Sequence, residues 1–407
     1  MGTASDYFAS LQLNRQAGLP EPPAAYAARV EAMYEYGAYV ADQSGCLPMN
    51  GDSDICGAGF VPSVARWFNR SDWDFVRTNG RYGRHPSGEA HATPSSMFPW
   101  AGQAVLRSGY GTADSWLWFD VGPFGSNPFH AHRDKLSVLL NAHGAMLLAD
   151  SGRFAYAGNS FSHTLRPYCH LTTAHNTLRI DGKQQSESPA VATAPRPTTS
   201  WSFKPSVDIV QGSMSQYDGL DGNGTHSRTV YHRRGEWFVI VDVVTSDRGG
   251  RGVQATWHTH PNASVDLDAD GTGIATIRGV DLRSQDPADV HLALVPATGA
   301  AGQGWHGSKV VKGVLAGKDG ATEDQGWFDE HYSDARPAPT LVYDAVLGPE
   351  TKSAVFAWLL VVTTSGTAAA AVATTSTASI TTVGGSTVGI AVTVNGDASH
   401  ITVPFEL

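Results

Sequence analysis

Cysteine is scarce in this chain: three in 407 residues, Cys46, Cys56 and Cys169. So small and odd a count excludes the disulfide framework that holds small secreted domains together. Cys46 and Cys56 flank a loop-like stretch, and any bridge would join these two and leave Cys169 free; three free thiols is the simpler expectation. Charge is scarce too. Asp, Glu, Lys and Arg make up 16% of the chain, against about 25% in an ordinary soluble domain. The balance is acidic, with 28 Lys+Arg against 38 Asp+Glu and a net charge of −10. No basic cluster interrupts it, which excludes nucleic acid as the main partner, because phosphate neutralisation needs grouped Lys and Arg. Long hydrophobic runs are also missing. The longest, Ala354 to Val362, has nine residues, whereas a transmembrane segment takes about 20. The first residues, Met1-Gly2-Thr3-Ala4-Ser5, lack the basic stretch and apolar core of a signal peptide. The expectation is a cytoplasmic protein or one whose N-terminus has been cut.

Glycine (44), proline (22) and aromatic residues (10%) are plentiful. That mixture is too apolar for a disordered chain and suits a β-rich protein with many turns. Residues 1–92 read as helical. Tyr26, Val30, Met33, Gly37 and Val40 mark one face of a helix opened by Pro22-Pro23, with Gly45 past its end. Shorter helices carry Tyr7, Phe8 and Leu11, then Phe60, Val64, Trp67 and Phe68. Ser71 is the expected N-cap of a last helix through Phe75 and Val76. From residue 93 to 407 the pattern has period two. Trp116–Phe119, Leu136–Leu140, Met146–Ala149, Trp237–Val244 and Ala354–Val362 read as strands, separated by turns such as Asp181-Gly182 and Asp221-Gly222. The Thr-, Ala- and Val-rich tail suits edge strands at Ile380–Val383 and Ile390–Val394. The fold expected is therefore α+β and multidomain: a helical segment, then a large antiparallel β domain.

The chemistry gathers between Gly122 and Thr177. In an extended segment, His130, His132 and Asp134 share one face, since side chains alternate with period two. A hairpin centred near residues 141–143 returns Asp150 toward His132, and His175-Asn176-Thr177 opens the strand Leu178–Ile180. Two imidazoles and a carboxylate, His132, Asp150 and His175, make a set suited to Zn²⁺. Polar residues at strand ends would give the same pattern without a metal.

Five motifs follow in order: Phe98-Pro-Trp-Ala-Gly with Leu106-Arg107, Gly122-Pro-Phe-Gly, His130-Ala-His132-Arg-Asp134, Leu147-Leu-Ala-Asp150-Ser-Gly152 and Thr173-Ala-His175-Asn-Thr177. Together they resemble the C-terminal half of the heparinase II/III family of polysaccharide lyases. The likeness is dense over residues 96–185 and diffuse beyond, through His226-Ser-Arg228 and Trp257-His258. The resemblance implies an antiparallel β-sandwich following an α/α toroid, of which residues 1–92 would be the last helices. It implies β-elimination from a uronic-acid glycan, with alginate, glucuronan and heparan as the substrate types, and a location in the cell envelope or outside the cell. His130 matches the family's cleft histidine, and His132, Asp150 and His175 match its zinc ligands, the zinc being mainly structural. Tyr7 stands where the toroid tyrosine would lie, while the toroid Asn or His has no counterpart.

Elimination needs the C5 carboxylate neutralised, the C5 proton removed and the 4-linked oxygen protonated; tyrosine and histidine serve the proton transfers, and cations or amides the enolate-like intermediate. Tyr156, Tyr168, Arg153 and Arg166 are the expected substrate contacts. Sparse Lys and Arg favour a carboxylated glycan over a heavily sulfated one. Two rivals are a cupin-like metalloenzyme, which would want a glutamate shortly after His132, and a non-catalytic zinc-containing carbohydrate-binding module.

Overall fold

Four helices lead into the β-structure of the computed structural model, which describes residues 2–21, 23–56, 62–88, 91–122, 130–187, 192–299 and 304–406. They are α1 (Gly2–Gln16), α2 (Ala24–Val40), α3 (Pro62–Trp67) and α4 (Ser71–Arg77). The buried stripe of α2 is Val30, Tyr34, Gly37 and Ala38. Two members of the expected face, Tyr26 and Met33, are instead 51% and 56% exposed. Apolar residues lie on two sides of this helix, so periodicity alone could not say which side meets the core. Ser71 is the first residue of α4 rather than its cap; Arg70 precedes it and ion-pairs with Glu35 of α2 and Asp72 of α4. Phe60 lies outside the described residues.

The strands expected from sequence are present. A thirteen-stranded sheet runs from Ser96–Phe98 through Gln103–Arg107, Ser115–Asp120, Val138–Ala142 and Ala145–Leu148, and ends at Trp201–Phe203. Its middle holds Trp237–Ser246 paired antiparallel with Gly224–Arg233 and Ser353–Thr363. Alternation sorts the side chains of this middle. Ile240, Phe356 and Trp358 point to one face, where they pack on Val253, Trp257, Leu341 and Tyr343 of a four-stranded sheet. Val239, Val241 and Leu359 point to the other, against Ile380, Ile390 and Ile401. A strand buried on both faces reads as a continuous apolar run rather than an alternating one. The result is a layered antiparallel β-sandwich after a helical segment, as expected.

The tail forms the two strands expected, the first of them at an edge, but in a sheet of its own. Thr377–Val383, Thr387–Val394 and Asp397–Pro404 form their own three-stranded sheet on the outer face. Before it comes a helix that the strand pattern did not suggest, Gly366–Thr375, rich in alanine. The Ser365 hydroxyl caps it by accepting the Ala368 N–H at 3.1 Å.

Three features of this architecture place the site. The hairpin Val138–Ala142/Ala145–Leu148 turns at His143 and Gly144, both left-handed (φ 50° and 73°), and carries the chain back to Asp150. Leu178–Ile180 pairs with Gly252–His258, which brings His175 to the same end of the sandwich. Beneath both, the fully buried Arg228 is held by Asp242 at 2.7 Å and donates to the carbonyls of Leu136 (2.7 Å) and Asn176 (2.5 Å). That guanidinium ties the His130–Leu136 loop to the His175 loop from inside the core.

Candidate functional site

Residues 130–137 form an irregular loop rather than the extended segment expected. His130 and His132 consequently part company: the first side chain is 53% exposed and the second fully buried. They meet again at one carboxylate. Asp52 Oδ2 lies 2.5 Å from His130 Nδ1, and Asp52 Oδ1 lies 3.1 Å from His132 Nε2. Arg166 closes the cluster with Nη1 at 2.5 Å from Oδ1 and Nη2 at 2.8 Å from Oδ2. Burial pushes the Asp52 carboxyl up, but the bonds to His132, Arg166 and His130 outweigh it and hold the group far below the usual carboxylate range. It is a permanent buried anion.

Asp52 escaped the sequence reading. It sits in the run Leu47 to Asp54, which has the composition of an ordinary turn, and its partner His130 is 78 residues away in sequence. Two local devices bring them together. A disulfide joins Cys46 to Cys56 and closes the loop; Cys169 is free and buried, so the expectation of three free thiols is corrected. At Gly51 (φ +53°) an added Cβ would stand 2.5 Å from the His130 carbonyl oxygen, an approach only glycine permits.

The expected metal residues come together only in part. His175 Nδ1 is 2.7 Å from Asp150 Oδ2, and the His132 and His175 rings are 5.3 Å apart. His132, Asp134 and His175 each offer a ligand atom within 4.8 Å of the others, as do Asp52, His132, Cys169 and His170, whereas Asp150 falls in neither group and touches His175 alone of the expected ligands. Burial pushes the His132 imidazole down to about 4 and the Asp134 carboxyl up to about 6. Asp52 is an acceptor only, so neutral His132 must give it the Nε2–H. The other nitrogen, Nδ1, is then a buried lone pair without a hydrogen-bond partner among the described residues. Two imidazoles, buried carboxylates and an unpartnered ring nitrogen fit a zinc ion.

The rim near His130 is aromatic and cationic. Tyr156 is 42% exposed, with its hydroxyl 3.5 Å from His130 Nδ1. The guanidinium carbons of Arg153 and Arg166 lie 5.1 and 4.6 Å from the centre of its ring. Neither arginine is a bare charge, because Arg153 pairs with Asp54 (2.6 Å) as Arg166 pairs with Asp52. Tyr332, unnoticed in the sequence, faces Tyr156 at 5.9 Å between ring centres. Tyr168 is a correction: its side chain is buried and its hydroxyl lies 3.3 Å from His258 Nε2. It packs among Phe154, Leu165 and Trp327 and has no surface to offer a sugar. Tyr7 belongs to α1, and its side chain lies outside the described residues.

This layered sandwich has known counterparts. The family model described as "Heparinase II/III-like, C-terminal" matches residues 90–359, well over half of the chain. The chain belongs to the heparinase II/III-like family. It is 26% identical over 208 residues to a heparin-sulfate lyase of Pedobacter heparinus, covering 50% of this chain and 29% of that protein. A heparin-sulfate lyase of Bacteroides stercoris is 26% identical over 176 residues, 43% of this chain and 24% of the relative. The crystal structure of a heparan sulfate lyase from Pedobacter heparinus shares the fold, with a TM-score of 0.74 at 16% identity, over 99% of this chain and 57% of that one. The chain thus spans only part of the length of these relatives. No described helix is long and apolar enough to cross a membrane.

Proposed function

We propose that this chain is the C-terminal part of a polysaccharide lyase that cleaves a uronic-acid-containing glycan by β-elimination. One observation carries the reading: the exposed His130 is pinned to the buried Asp52 carboxylate at 2.5 Å, beside the exposed Tyr156. That puts an oriented imidazole and a phenol where a sugar could reach both. In the reaction a base takes the C5 proton, the C5–H electron pair becomes the C4–C5 double bond, and the C4–O bond breaks. The departing oxygen keeps that bond's electrons and takes a proton from a phenol or water. His130 serves the proton transfers, with Tyr156 or Tyr7 as the phenol; Arg153 and Arg166 stand near the substrate carboxylate.

His132, Asp150 and His175 would hold the zinc ion, with Asp134 as a further carboxylate, and its contribution would be to the stability of the loop under His130. Residues 1–92 would be the closing helices of the toroid. The relatives' names favour a heparan-type glycan, while sparse Lys and Arg favour a weakly sulfated or merely carboxylated one such as glucuronan or alginate. The Cys46–Cys56 bridge suits an oxidising compartment, the cell envelope or the exterior.

The test is new ultraviolet absorbance from unsaturated ends when the protein, or its longer parent, meets heparan, alginate, glucuronan or hyaluronan. His130→Ala should keep its melting temperature and lose about 10²–10⁴-fold in kcat. A parent silent on all four glycans defeats the lyase reading, and the non-catalytic binding module then takes its place. An active His130→Ala removes that residue from the chemistry.

A further inference from the structure

The two histidines of the His130-Ala-His132 pair touch the same carboxylate with different ring nitrogens. His130 meets Asp52 through Nδ1 at 2.5 Å, His132 through Nε2 at 3.1 Å. A carboxylate can only accept, so each contact places a proton on the nitrogen that makes it. We infer that Asp52 is a positioning residue that sets the two imidazoles in opposite tautomers: His130 carries its proton on Nδ1 and turns Nε2 outward as an acceptor, while His132 carries its proton on Nε2 and keeps Nδ1 as a lone pair inside. The kinetic consequence rests on the lyase reading; the tautomers themselves do not.

Asp52 is built for the task. Arg166 grips both of its oxygens (2.5 and 2.8 Å), and the side chain is only 3% exposed, so the acceptor can neither swing away nor be replaced by water. The backbone repeats the grip: the Asp52 N–H donates to the His130 carbonyl at 3.3 Å. Gly51 lets the loop approach that close. The Tyr156 hydroxyl lies 3.5 Å from the same Nδ1 that meets Asp52, and among the described residues no hydrogen bond reaches the His130 Nε2. Buried His132 shows the complementary pattern, with Nδ1 unpartnered. A neutral imidazole that presents Nε2 as an acceptor can receive a proton or a hydrogen bond from a sugar, and cannot donate one to a sugar carboxylate. The inference therefore assigns the neutral His130 ring to proton acceptance.

The tautomers can be read directly. Long-range ¹H–¹⁵N spectra of the neutral rings, assigned with a His130→Gln variant, should show the wild-type His130 protonated on Nδ1 and His132 on Nε2. In Asp52→Asn, which keeps the shape and removes the charge, His130 should lose its single tautomer, while circular dichroism stays native. If the parent is an active lyase, Asp52→Asn should lower kcat by roughly 10²–10⁴-fold with KM changed less than about threefold, because an orienting group acts in the transition state; Asp52→Glu should recover part of the loss. A wild-type His130 protonated on Nε2 overturns the inference with no variant needed. So does a native-like Asp52→Asn whose His130 spectrum is unchanged. An inactive parent defeats the lyase reading alone, and the spectra still decide the role of Asp52.

Discussion

At the scale of residues, the site depends on which nitrogen and which oxygen each side chain has left over. His132 gives Nε2 to Asp52 and retains a buried, unpartnered Nδ1; His175 faces Asp150 at 2.7 Å. His175 Nε2 is engaged as well, 2.9 Å from the Cys169 carbonyl, so the zinc proposal rests on the unpartnered His132 Nδ1 and the buried carboxylates around it. Purified, dialysed protein should contain close to one zinc per chain, and His132→Ala and Asp150→Ala should each lose most of it and melt lower, because a structural metal contributes folding free energy. Atomic emission on the three proteins decides it; unchanged zinc in both variants excludes the set. Asp134→Asn, measured alongside, reports whether this second buried carboxylate is also a ligand.

At the scale of elements, the loop from Cys46 to Cys56 is the piece that makes the histidines useful, since it carries Asp52 under His130 and Asp54 to Arg153. A bridge across ten residues removes loop-closure entropy from the unfolded chain, by about 3 kcal/mol in the chain-entropy account. The paired replacement Cys46→Ser/Cys56→Ser should therefore shift the urea midpoint downward by a comparable free energy. Peptide mapping under non-reducing conditions should find the Cys46–Cys56 crosslink and no crosslinked peptide with Cys169. A mapped Cys169 bridge, or a double variant as stable as the wild type, contradicts this account of the loop.

At the scale of the whole molecule, one buried ion pair connects the sandwich core to the site. Arg228 and Asp242 are both fully buried, His226 and Trp358 also reach Asp242, and Arg228 holds the carbonyls of Leu136 and Asn176. Burial pushes the Asp242 carboxyl up, yet Arg228 and His226 outweigh it and hold the group well below the usual carboxylate range. A depressed folded value stabilises the protein above the unfolded value, about pH 4, and that stabilisation is lost as pH falls toward the folded value. Removing one partner of a buried pair typically costs about 3–5 kcal/mol. Asp242→Asn should show a loss of that order at pH 7 in urea, and the gap to wild type should narrow as pH falls below about 4. A gap independent of pH would mean that the aspartate acts by shape alone.

Legible in the chain alone were the order of helices before strands, the period-two strands of the central sheet and the hairpin that leads back to Asp150. Those features rest on local patterning and on a hairpin whose turn residues are adjacent in the chain, so short-range rules reach them. The exposed side of α2 and the separate three-stranded sheet of the tail were decided by packing, since apolar residues on two sides do not say which side meets a partner. Tyr168 was decided the same way: as an aromatic in a polar loop it could have faced solvent, and burial against His258 settled it. Asp52 is the clearest case. A turn aspartate has no periodicity to betray it, and its chemistry arises only when a disulfide-closed loop, a glycine in left-handed conformation and a histidine 78 residues later arrive at one point. Contacts at that separation are made by the tertiary fold, because loop closure over such a distance is favourable only when the packed layers on either side hold both ends.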